Sequence, residues 1–60
     1  MKKIIIFDHE VSEVHIFEYN EEVWDNIVDF YDSVNDMFGT HFKDSQCSYM
    51  ICDTVNLTIH

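Results

Sequence analysis

The chain contains no arginine and only three lysines, Lys2, Lys3 and Lys43, so no fixed positive charge occurs between Ile4 and Phe42. Nucleic acids and anionic membranes are held by Lys and Arg neutralising phosphate, and direct binding to either is therefore disfavoured. Glycine is scarcer still. Gly39 stands alone, which excludes a Gly-rich phosphate loop. No nucleophile motif is present, and a domain this small rarely encloses a pocket that excludes water, so catalysis is not expected. The two cysteines, Cys47 and Cys52, lie in or beside a strand, where their spacing holds the side chains too far apart for an unstrained disulfide, and reduced thiols are expected. His9, His15, His41, His60, Cys47, Cys52 and Asp53 are ligand types, but the tight Cys-x2-Cys or His-x3-His pairs of structural zinc sites are missing. Neither a metal nor a cofactor is expected. The apolar run after Lys2 and Lys3 stops at Phe7 and acids follow at once, which is too short for a signal peptide or a membrane span. The expected location is cytoplasmic.

What the chain does have is acid. Twelve Asp and Glu give a net charge of -9 over 60 residues. An apolar fraction of 47% and nine aromatic residues are too rich for a disordered acidic tail, so the chain should fold, as a single domain over residues 1–60. At this length the core barely offsets chain entropy, and a partner or a second copy would add useful buried surface.

Ile4 to Phe7 is a β-branched and aromatic run of strand length, bounded by Asp8, His9 and Glu10. From Val11 to Tyr19 the pattern alternates. Val14 and Ile16 share one face, Glu13, His15, Phe17 and Tyr19 the other, as in a second strand folding back on the first. Asn20 then offers a cap, Glu21 and Glu22 suit the positive end of a helix dipole, and the spacing predicts a helix from about Glu21 to Phe38 closed by Gly39. Its apolar stripe would be Val23, Ile27, Phe30, Val34, Met37 and Phe38. Tyr49 to His60 reads as strand throughout, bent or broken near Asp53 and Thr54. The expected fold class is α+β, a small two-layer β-β-α-β domain, or β-β-α-β-β if the last segment is a hairpin, with an antiparallel sheet packed on one amphipathic helix.

On that helix five carboxylates, Glu22, Asp25, Asp29, Asp32 and Asp36, fall opposite the apolar stripe with no Lys or Arg among them. Each like-charge neighbour at i,i+3 or i,i+4 costs roughly 0.2 to 0.5 kcal/mol, and Asp is a poor helix former. A face so arranged points to a basic partner, with Trp24 and Tyr31 on its flank as candidate anchors. Over about 21 Å the stripe carries one charge per roughly 5 Å, against one per 3.4 Å along a DNA strand. In size and composition the chain resembles the small acidic α+β proteins with which phages and mobile elements block restriction enzymes or CRISPR nucleases. That resemblance is one of charge, covers no alignable motif and transfers no residue roles. It implies a nucleic-acid mimic that inhibits a nuclease or another nucleic-acid-binding protein. The alternative is a structural or regulatory interaction module, such as a homodimer through an exposed sheet edge, on which the acids serve only as a solvated coat.

Overall fold

The computed structural model describes all residues from Met1 to His60. Three strands, β1 (Lys2–Asp8), β2 (Glu13–Tyr19) and β3 (Cys47–Cys52), and one helix, α1 (Ile27–Phe38), follow one another in the order β-β-α-β. The sheet order is β2-β1-β3, and both pairings are antiparallel. The most β-prone run of the chain, Ile4 to Ile6, thus takes the central position, where ladders on both sides satisfy its backbone groups. The link between β1 and β2 occupies residues 9 to 12, longer than the alternation implies. Ser12 turns it with φ at 57°, a left-handed conformation, and so Val11 lies in the turn rather than in the strand.

Register fixes which side chains face the helix. Ile4 is flanked by Phe17 and Ile51, and Ile6 by His15 and Tyr49. Against them α1 buries Phe30, Tyr31 and Val34, and Phe42 from the following loop completes the cluster. Phe30 lies at the centre, with the rings of Trp24, Tyr19 and Phe17 at 4.9, 5.3 and 5.8 Å. Phe42 is held in place by Asn35. The Asn35 side chain donates to the Phe42 carbonyl at 2.9 Å, while its oxygen accepts from the Phe42 amide at 2.9 Å and from the Thr40 hydroxyl at 2.7 Å.

Three expectations need correction. The helix starts at Ile27, not near Glu21, because two asparagines can cap and each caps something different. The Asn20 side chain accepts from the Glu22 amide and its carbonyl from the Val23 amide, which closes a single turn. Asn26, extended at φ -154°, accepts from the Asp29 amide at 3.0 Å and starts the helix. Between them Trp24 lies against Tyr19 and Phe30, and the segment carrying it runs as a non-helical crossing from sheet to helix layer. Second, the buried arc is rotated. Tyr31 is inside, whereas Val23, Met37 and Phe38 are exposed. Third, strand ends at Cys52. The pairing of β3 with β1 ends at Lys3↔Cys52, and residues 53 to 60 join no ladder.

Gly39 does close the helix. At φ 69° it is left-handed, and its amide donates to the Asn35 carbonyl at 3.0 Å. Because nothing lies within 4 Å of a Cβ at that position, Gly39→Ala meets no clash and only the conformational cost remains. We expect Gly39→Ala and Asn26→Ala each to lower stability by about 1 kcal/mol, read as an earlier urea midpoint at unchanged m.

Candidate interaction surface

The five carboxylates separate into two groups. Asp29, Asp32 and Asp36 lie on α1 and are all exposed, on the side away from Phe30, Tyr31 and Val34. Glu22 lies in the turn closed by Asn20, where it lines a shallow cleft with Lys2, Tyr19, Glu21 and Asp53, and Asp25 lies in the bend before the helix cap. The helical stripe therefore spans about 10 Å rather than 21 Å, at an unchanged density of one charge per roughly 5 Å. Its self-repulsion is smaller too. Only Asp29 with Asp32 and Asp32 with Asp36 remain as helical like-charge neighbours, about 0.4 to 1 kcal/mol together.

Position along the helix distinguishes the three. Asp29 sits in the first turn, where the helix dipole favours a carboxylate. Asp36 sits in the last turn, where the dipole opposes it, and no basic residue shares that turn. The ion pairs of the protein all lie elsewhere: Lys2 with Glu21 at 3.6 Å, Lys3 with Glu18, and His15 with Glu13 at 3.1 Å if the imidazole is protonated. None engages a carboxylate of α1.

The two aromatic candidates are placed inside or at the margin of the core. Tyr31 is 2% exposed, so it presents no surface to a partner, and Trp24 is half-buried with its ring edge-on to Phe30. A helical wheel sets both on a flank; with Val23, Met37 and Phe38 exposed, the core face of α1 is centred closer to Tyr31. A second surface was only partly legible. The outer face of the sheet carries Val14 and Ile16, whose shared face the alternation gives, together with Phe7 and Met50, but alternation alone does not say which face the helix covers.

Histidines and thiols do not assemble into a centre. No three His, Cys, Asp or Glu side chains converge as they would around a metal ion. His9 shares a hydrogen bond with the Ser48 hydroxyl at 2.7 Å, and His15 stacks edge-on to Phe42 at 5.0 Å. Both cysteines are free and half-buried. Burial pushes the Cys47 thiol up, Asp8, Asp44 and Glu10 add to the effect, and a backbone hydrogen bond at Lys43 only partly offsets them, so Cys47 is a protonated, weak nucleophile at neutral pH. No helix is long and apolar enough to cross a membrane.

Compared with known protein families, with curated proteins and with solved structures, the chain matches none.

The buried Tyr31 hydroxyl has no hydrogen-bond partner. Burial, reinforced by Cys47, Asp44 and Tyr49, raises its pKa from 10.0 to about 12. The folded state therefore holds this proton more tightly than the unfolded chain does. The resulting stability is complete below about pH 10 and is lost as pH rises toward 12. Tyr31→Phe removes both the orphaned hydroxyl and this titration. Its stability at neutral pH should be unchanged or slightly higher, and its melting temperature should fall less than that of the parent chain between pH 10 and 12.

Proposed function

We propose that this chain is a small non-enzymatic protein-binding domain that docks the acidic face of α1 on a basic protein surface, of the kind that otherwise holds DNA or RNA. The observation that carries the reading is the set Asp29, Asp32 and Asp36: three exposed carboxylates along one helix face with no cation paired to any of them. Exposed helix faces ordinarily mix signs, and neutral or basic residues at Asp32 and Asp36 would favour the fold, so an external basic surface accounts for their presence. Asp36 argues this most directly, because its charge is set against the helix dipole.

The spacing suits a phosphate-binding surface as the partner. Three charges over about 10 Å correspond to a short stretch of one strand, and Glu22 and Asp25 extend the negative surface beyond the helix start. On this reading the protein is an inhibitor that competes with nucleic acid for a nuclease or another nucleic-acid-binding protein, and the resemblance to phage and mobile-element inhibitors lends the same support. The net charge of -9 disfavours direct contact with nucleic acid or an anionic membrane.

Such binding weakens steeply with salt. Capture from a native lysate at low salt should recover a nucleic-acid-binding protein that duplex DNA or RNA displaces. Replacing Asp29 and Asp32 by Lys should reduce capture by roughly tenfold or more, about 1.4 kcal/mol. Capture that is indifferent to both salt and the double replacement would sink the reading. Asp36→Asn provides a sharper test of a face shaped for binding. It should stabilise the isolated domain by about 0.3 to 1 kcal/mol while weakening capture.

A further inference from the structure

The helix covers only one face of the sheet. On the other, register aligns Ile16, Ile5 and Met50 in a single cross-strand row, with Val14, Phe7 and, at one margin, Ser48 bonded to His9 in the row beside it. Ile5 is 8% exposed yet lies outside the core cluster under the helix, while Phe7, Val14, Ile16 and Met50 remain 37%, 60%, 49% and 50% exposed. A contiguous apolar face of this kind marks a docking surface. We propose that it packs against the same face of a second copy, forming a two-fold dimer of sheet on sheet with the two helices outermost.

Charge identifies the occupant. The charged side chains on this face are Lys3 and Glu18, and they neutralise each other. A partner of either sign therefore gains nothing here that it would not find better elsewhere on the molecule. A neutral face with an apolar centre is complementary to itself, as a two-fold interface requires. The net charge of -9 opposes association in general, but the unpaired carboxylates of α1 lie on the far side of the helix layer. Sheets pack about 10 Å apart. With a helix layer outside each, the two acidic stripes lie on the order of 30 Å from one another, several times the Debye length of about 8 Å at physiological salt. Stacking thus buries the neutral side and keeps the charged sides apart.

The gain to the fold is large for a chain with so little interior. Only eight residues are buried, and a second layer would cover the face now open to water. The interface is nonetheless small. Three strands of about seven residues make a face of roughly 14 by 23 Å, below the ~800 Å² per partner of a standard complex, so the dimer is reversible and dependent on concentration. It also presents two acidic helix faces on opposite sides of one particle.

Sedimentation equilibrium over a wide range of protein and salt concentrations tests this. The mass should rise from 7.2 kDa toward twice that value with concentration, and more readily as salt screens the net charge. The opposite salt response separates this association from capture through the acidic face. Phe7→Lys is the decisive variant, because Phe7 lies on the central strand, both of whose edges are already paired. Dimerisation should weaken at least roughly tenfold with the far-ultraviolet spectrum unchanged, whereas pairing through a free edge of β2 or β3 would survive. If Phe7→Lys does not fold, Met50→Lys on the exposed outer face of β3 gives the same reading. A parent chain that stays monomeric throughout, or a dimer that persists with either lysine in place, overturns the proposal.

Discussion

Everything in this small domain is arranged around one aromatic layer between helix and sheet. Phe30 is 0% exposed and lies at van der Waals range of rings from the sheet, the crossing segment and its own helix. Aromatic side chains bury more area per residue than any others, which is how a chain of 60 residues makes an interior from a cluster of seven buried positions. The layer also dictates what lies outside it. Once Phe30, Tyr31 and Val34 point at the sheet, helical geometry points Asp29, Asp32 and Asp36 at solvent.

A consequence is a molecule with two unlike surfaces. The helix side is negative and unpaired; the far side of the sheet is apolar and locally neutral. The two surfaces share no residues, so the contacts proposed for them, with their opposite responses to salt, do not compete.

Legibility in the sequence followed the range of the interaction involved. The triple isoleucine of β1 and the left-handed Gly39 are local signals that appear where the residues imply, and the alternation read from Val11 to Tyr19 forms strand from Glu13 on. The helix start was not legible, because Asn20 and Asn26 are equally good caps and only the docking of Trp24 against Tyr19 and Phe30 separates them. That single shift removed Glu22 and Asp25 from the helix, brought Tyr31 indoors and halved the acidic stripe. The alternation of Val55, Leu57 and Ile59 is as regular as that of β2, yet a strand needs a neighbouring backbone, and the pairing of β3 with β1 ends at Lys3↔Cys52.

The sequence by itself determined the α+β class, the antiparallel hairpin, the one amphipathic helix and the excess of acid without basic compensation, because all of these rest on propensity, periodicity and composition. Only the tertiary structure decided which of two caps began the helix, which aromatic rings became core, how many carboxylates share one face, and that the sheet keeps an apolar side open. Those outcomes depend on contacts between residues far apart in the chain, where packing and strand pairing outweigh local preferences of about 1 kcal/mol or less.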